Sequence, residues 1–234
     1  MKFSIDPEVI ALFPDVKIGL LVVKGLDNRK QGTDVSPLLR QTEEAVRAKY
    51  TLEGLSALPK IADWREAYRK FGFKPSSHRS SVEALLRRVL QGKELPSINP
   101  LVDLYNLISI KHCLPVGCDD IDHVDGNITL TIADGTEKFV MLGAHLSDEI
   151  KQGEVIYRDD KEVLCRSWNY RECDKTKIIE NTKNVCLVIE GLGNTSKEEI
   201  VKALSELRAL LSPHCHGSFR EFFLYSGQLE AVFD

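Results

Sequence analysis

Long apolar runs are missing from this chain, and their absence removes the first class of function. The longest apolar segment, around Ile18 to Val23, falls well short of the roughly 20 residues that a helix needs to cross a bilayer. The opening Met1-Lys2-Phe3-Ser4-Ile5-Asp6 lacks the apolar stretch of a secretory signal. A cytoplasmic, soluble protein without membrane contact is therefore expected. Cysteine is sparse as well. Cys113, Cys118, Cys165, Cys173, Cys186 and Cys215 show no paired CxxC spacing, which argues against a disulfide framework or a zinc ribbon and for reduced thiols. His112, Cys113, Cys118 and His123, or the run His214-Cys215-His216, are metal ligands by type but not by pattern. No metal and no cofactor are expected. Familiar catalytic signatures are missing too: there is no Walker loop, HExxH or GxSxG, and Gly191-Leu192-Gly193 lacks the third glycine of a dinucleotide site.

What is present is enough for a core. The 234 residues are 43% hydrophobic and 28% charged, with no repeat, low-complexity stretch or linker. One domain spanning residues 1–234 follows. Ile61, Trp64, Tyr68 and Phe71 recur at helical spacing before Gly72. Ser80 with Glu83 reads as a capping box opening a helix whose stripe is Val82, Leu85, Leu86, Val89 and Leu90. Asn99 and Pro100 read as N-cap and first helical residue, with Asp103, Asn106 and Ser109 aligned on one face as a possible site wall. Further helices are expected over 37–50 and from Ser196 to Pro213. Short alternating or apolar runs at 16–24, 128–132, 138–142, 155–157, 163–165, 185–189, 219–225 and 229–233 read as strands. The fold class is α+β, a mixed or antiparallel sheet with flanking helices.

Net charge is −4, which excludes nucleic-acid binding over the whole surface. Within residues 60–93, however, nine Lys or Arg stand against Asp63, Glu66 and Glu83, so this segment is +6 and the remainder −10. A basic face suits one phosphate backbone, with Arg65, Arg69, Lys70, Arg79, Arg87 and Arg88 as its contacts; the solvated faces of two helices are the alternative. The run Cys165-Arg166-Ser167-Trp168-Asn169-Tyr170-Arg171 adds two guanidiniums, an amide and two aromatics. It fits an anionic, planar ligand, or else a buried Trp168 beside paired arginines.

The order of Leu101-Val102-Asp103-Leu104-Tyr105-Asn106, Leu114-Pro115-Val116-Gly117, Asp120-Ile121-Asp122, Met141-Leu142-Gly143, Gly153-Glu154-Val155-Ile156-Tyr157, the Cys165–Arg171 cluster and Thr182-Lys183-Asn184-Val185 resembles free-standing relatives of the B3/B4 editing module in the β subunit of phenylalanyl-tRNA synthetase. The resemblance is strongest over residues 60–190. It implies an α+β fold whose pocket receives the aminoacylated 3′ end of tRNA, where water cleaves the ester of a wrongly attached amino acid. The expected partner is therefore tRNA.

The resemblance also exposes departures. The module's Pro-Leu-His-Ala-Phe-Asp segment corresponds to Pro115-Val116-Gly117-Cys118-Asp119-Asp120, so its histidine is Gly117 here. Its Ala-Gly-x-x-Gly-Gly turn falls on Cys165 to Tyr170, where bulk replaces glycine and a narrower pocket is implied. The editing glutamate falls near Val188, with Glu190 two residues on and on the same side of a strand. The implied site joins the 74–83 loop and helix start, the 99–106 helix, the Gly117 turn and the 165–171 turn. Asp103, Asn169 and Arg166 are its expected catalytic groups. Asp103 and Asn169 hold the α-amino group or the water, while Lys74, Arg166 and Arg171 contact phosphate or ribose. Ser77, Ser80, Glu83, Asn99, Asn106, Gly117 and Trp168 complete the binding site, with helix-start amides near Ser80 as oxyanion donors. Hydrolysis of mischarged aminoacyl-tRNA in trans is the expected function. A non-catalytic tRNA or amino-acid binding module and a small-molecule enzyme on the same scaffold stay open.

Overall fold

Two strands that read as nearly unbroken hydrophobic runs are buried on both faces, and the fold is built around them. The computed structural model describes residues 1–29 and 34–234. In chain order its elements are β1 (Lys2–Ile5), α1 (Pro7–Leu12), β2 (Lys17–Lys24), α2 (Ser36–Lys49), α3 (Pro59–Lys70), α4 (Ser81–Leu90), α5 (Pro100–His112), β3 (Val116–Asp120), β4 (Ile128–Ile132), β5 (Lys138–Phe139), β6 (Asp148–Glu149), β7 (Val155–Arg158), β8 (Val163–Arg166), β9 (Arg171–Glu172), β10 (Asn184–Gly191), α6 (Lys197–Cys215), β11 (Ser218–Tyr225) and β12 (Glu230–Val232). Side chains alternate across a strand, so β2 and β10 feed two cores. Ile18, Leu20, Val22, Cys186 and Val188 face a second sheet, while Leu21, Val23, Val185, Leu187 and Ile189 face the helices.

The central sheet is ordered β11-β2-β10-β3 and is antiparallel throughout. The second sheet, β12-β1-β4-β7-β8-β9, is mixed, because β1 pairs parallel with β4. The α+β expectation holds. Gly19 brings α6 close to β2: a Cβ there would lie 2.5 Å from Leu204 Cδ1 and 2.6 Å from Ile200 Cγ2. Gly19→Ala is expected to cost about 1–3 kcal/mol through overpacking, read as a lower urea midpoint at unchanged slope.

Local signals held where tertiary contacts agreed with them. Ser196 and Glu199 form a reciprocal capping box, and Asn99 Oδ1 accepts from Val102 N at 3.0 Å. Helix α6 continues past Pro213 to Cys215. The expected Ser80–Glu83 capping box does not form: Ser80 is the N-cap without a side-chain bond, because Glu83 is drawn instead to Arg65 at 2.8 Å and Arg87 at 2.9 Å. Gly117 lies within a strand, not a turn, opposite Val188. All six cysteines are free and buried, and among the described residues no helix is long and apolar enough to cross a membrane.

Candidate functional site

The β8–β9 connection is, among the described residues, the one place where two consecutive non-glycine residues have positive φ. Ser167 and Trp168 have φ of 46° and 66°, a left-handed conformation that costs L-residues on the order of 1–2 kcal/mol each. Buried acids hold it. Glu154, fully buried, accepts from Ser167 N and Oγ at 2.7 Å each and from Arg166 Nε and Nη2 at 3.1 Å each. The Trp168 indole turns inward, edge-on to Trp64 and Phe13 at 5.1 and 4.9 Å, and donates through Nε1 to Glu190 at 2.6 Å. Glu190 also accepts from Tyr157 Oη at 2.5 Å and Asn169 Nδ2 at 2.8 Å, while Asn169 Oδ1 accepts from Tyr68 Oη at 3.1 Å.

This network closes one end of a cavity of about 20 Å³, room for about one water. Asp119 from β3, Glu172 from β9 and Glu190 from β10 enter it, with Ser81 at the start of α4 and Gly117 in the wall. Glu172 and Cys118 are shared with an adjoining pocket of about 220 Å³, walled by Val102, Tyr105, Leu142 and Ile178. Gly117 matters here because a Cβ on it would lie 3.3 Å from Glu172 Oε1. Carboxylate thus sits beside the position where the synthetase module carries histidine.

Burial raises all three acids. Glu190 is pushed up to about 6 by desolvation, against the lowering effect of its three donors. Asp119, bonded to Thr176 Oγ1 at 2.6 Å, and Glu172 are both raised, first by burial and then by neighbouring carboxylates. Two like charges in one desolvated space oppose joint ionisation. A carboxyl raised on folding contributes stability that is complete below its unfolded value and is lost as pH rises through its folded value. For Glu190, from 4.5 to about 6, the loss is on the order of 1–2 kcal/mol. The melting temperature is therefore expected to fall between pH 5 and 7.5, and Asp119→Asn to flatten that decline. Glu199, held low by its bond to Lys60, acts oppositely and loses stabilisation only as pH falls through the glutamate range.

The expected site residues fall into three groups. Asn169, Trp168 and Gly117 line the cavity, although Trp168 is fully buried and offers no face to a base. Arg166 stands behind the cavity, occupied by Glu154 and with its guanidinium 5.7 Å from the Phe139 ring. Ser80 adjoins it through Ser81, whose N–H donates to Asn169 O at 3.0 Å. Lys74, Ser77 and Arg171 lie outside. Ser77 Oγ donates to Lys74 O at 3.1 Å, and Arg171 covers the Tyr170 ring at 4.5 Å. Tyr170 in turn meets His78 at 4.9 Å, tying the 74–80 loop to the strained turn.

Asp103 is the main displacement. Its two oxygens accept from Ser97 Oγ at 2.6 Å and Ile98 N at 2.8 Å, so it fixes the chain before α5 and has no access to the cavity. Asn99 caps that helix, Ser109 Oγ donates to Leu114 O at 2.7 Å, and Asn106 lines neither cavity. The anticipated polar wall on α5 is therefore not assembled: Asp103 and Ser109 each make a separate local contact, and Asn106 joins neither. The basic face is tied into the fold and keeps a net positive charge: Arg65 and Arg87 pair with Glu83, and Arg79 lies 4.0 Å from it, so three guanidiniums share one carboxylate. Arg69 pairs with Glu66, Arg88 Nε donates to Glu94 O at 2.7 Å, and Lys70 lies 5.5 Å from the Phe13 ring. Asp119, Glu172, Glu154 and Tyr157 escaped the sequence reading. Asp119, two residues after Gly117, carried a signal as an acid where the module has phenylalanine, and Glu154 and Tyr157 lay within a motif of the resemblance without being assigned to the site.

Geometry and topology together define an α+β domain built around a buried acidic cavity. A family model described as the B3/4 domain matches residues 63–215, and the chain belongs to that family. It is 26% identical over 118 residues to the phenylalanine–tRNA ligase β subunit of Fusobacterium nucleatum subsp. nucleatum, a stretch covering 48% of this chain and 14% of that subunit. Its fold is similar to the crystal structure of an N-terminal fragment of the phenylalanyl-tRNA synthetase β-subunit from Pyrococcus horikoshii. That likeness has a TM-score of 0.50 at 16% identity and covers 94% of this chain and 53% of the fragment. The chain thus spans a small part of the curated relative and about half of the structural one.

Proposed function

We propose that this protein hydrolyses the ester of wrongly charged aminoacyl-tRNA in trans, with water held in the cavity beside Glu190. The observation that carries this reading is the single-water cavity, walled by carboxylates and adjoining a pocket the size of an amino-acid side chain. Family membership supports it, because the relatives are subunits of a tRNA ligase.

An aminoacyl ester is already activated, so the protein needs to position water and stabilise developing charge, with no nucleophilic side chain. Glu190 is fixed by three donors and has a proton affinity near neutrality, the setting of a general base. Asn169 orients it. The start of α4 lies across the same space and receives the carbonyl oxygen as it gains charge. Arg166 acts as a positioning residue through Glu154. The RNA lies along the outer loop, where Lys74, Lys151 and Arg171 make no ion pair among the described residues. With three such contacts to a single strand, the logarithm of affinity should fall against the logarithm of salt with a slope of about −2.

Incubating the protein with correctly and wrongly charged tRNAs tests the reading through ester loss above the spontaneous rate. A binding module is favoured by one specific feature, Gly117 in place of the module's histidine, and it would protect the ester that an enzyme cleaves.

A further inference from the structure

Buried acids elsewhere among the described residues have a cation or at least two hydrogen-bond donors: Glu43 has Arg40 at 2.9 Å, Glu83 has Arg65 and Arg87, Glu154 has Arg166, Asp159 has Lys175 at 2.6 Å, Asp103 has Ser97 Oγ and Ile98 N, and Asp120 has Thr182 Oγ1 and Asp122 N. The cavity breaks that pattern. Among the described residues no Lys, Arg or His lines it. Asp119, 8% exposed, has only the Thr176 hydroxyl on its carboxylate, and Glu172 has only the Cys165 thiol. A desolvated carboxylate without a cation is costly, and the cost is removed when a cation arrives.

A second observation comes from the opposite wall. Ser81 Oγ is shut off from solvent, makes no hydrogen bond and lines this cavity. At the helix N-cap, Ser80 is 2% exposed and carries another unpartnered hydroxyl. Buried hydroxyls are almost always satisfied, at a cost of about 1–3 kcal/mol when they are not, so this one marks the place of an absent partner.

We infer that Asp119, Glu172 and Ser81 form a receptor for an ammonium group, whose three N–H donors match these three acceptors. The organic body of the ligand extends past Glu172 into the 220 Å³ pocket, against Val102, Tyr105, Leu142 and Ile178. Two of the departures from the synthetase pattern, at 117 and 119, then have one explanation. Glycine at 117 leaves space for the Glu172 carboxylate, and aspartate at 119 supplies the second acceptor. This deepens the proposed function and rests on it in one respect: on that reading the ammonium belongs to the amino acid esterified to tRNA, as its α-amino group or a side-chain amine, and the cavity, with room for about one water as it stands, widens on binding to hold the ammonium and the attacking water together.

Calorimetric titration of the whole protein with leucinamide, N-acetyl-leucinamide and 1,5-diaminopentane tests it. An amine should bind, the acetylated amide should bind at least about 10-fold more weakly, and Asp119→Asn and Glu172→Gln should each weaken the amine by roughly 10- to 100-fold. Ser81→Ala should have a smaller effect in the same direction. Leucinamide binding tighter than the diamine assigns the site to an α-ammonium, and the reverse order to a side-chain amine. Equal binding of free and acetylated amide, no binding of either amine, or unchanged affinity in folded variants would overturn the inference. If one acidic variant fails to fold, the other and Ser81→Ala carry the test. A protein that binds amines through these residues yet cleaves no ester would contradict the proposed function and leave the receptor standing.

Discussion

Glu154→Ala should lower the free energy of unfolding by about 3–5 kcal/mol, the range for stripping one partner from a buried ion pair. The carboxylate is fully buried and accepts from Arg166 Nε and Nη2 and from Ser167 N and Oγ. Removing it leaves a guanidinium, only 14% exposed at its side chain, without its main counter-charge. Two consecutive left-handed residues lose their anchor at the same time. Urea denaturation measures the loss. Glu154→Gln, which keeps an acceptor for Ser167, should lose less. A loss below about 1 kcal/mol for the alanine variant would mean that Arg166 finds solvent or Asp148, 3.8 Å from its Nη1, and that the turn is held by other contacts.

Glu190→Gln is expected to slow ester hydrolysis by about 10²–10⁴-fold, the usual contribution of a positioned general base. The amide fills the same volume, and the Tyr157 hydroxyl and the Asn169 amide are each able to reverse their donor and acceptor roles toward it. A melting curve should therefore show a folded protein. A second readout separates base from scaffold. In the wild type the rate should climb with pH and level off above about 6, where Glu190 loses its proton; in the variant that inflection should be gone. A uniform fall in rate with the inflection intact would assign Glu190 to holding Trp168 and Asn169 in place.

The parts of the fold legible in the sequence were those governed by local rules. Asn99-Pro100 and Ser196-x-x-Glu199 opened helices as their side-chain chemistry dictates, and the β2 and β10 runs are strands buried on both faces. Glu83 shows where local reasoning ends. A good capping-box residue became the counter-ion of arginines on α3 and α4, because a buried carboxylate gains more from charge than from one helix amide. Trp168 shows a second limit. Between Arg166 and Asn169 an indole suits a base or a core equally well, and only the left-handed turn at Ser167 directs it inward. The parallel β1–β4 pairing joins Phe3 to Ile128, a separation that no local pattern encodes.

The site was less legible for the same reason. Asp119, Glu172 and Glu190 sit on three strands, brought together by the β3–β10 register, with Gly117 opposite Val188, and by the β8–β9 register, with Cys165 opposite Glu172. Periodicity along a strand did place Glu190 on the same side as Val188, and both line the cavity. It carried no information about which acids would lack a cation. The Lys and Arg residues of 60–93 show the converse, since a charge count sees nine cations but not that Arg65, Arg79 and Arg87 gather round Glu83.

The most direct test of the account is the rate at which the protein removes amino acids from a panel of correctly and wrongly charged tRNAs, with Glu190→Gln measured beside the wild type. The account predicts accelerated loss of one class of mischarged tRNA, sparing of the correct one, and a variant that remains folded yet close to the spontaneous rate. Tight binding that protects every ester, or cleavage unchanged in the variant, would contradict it.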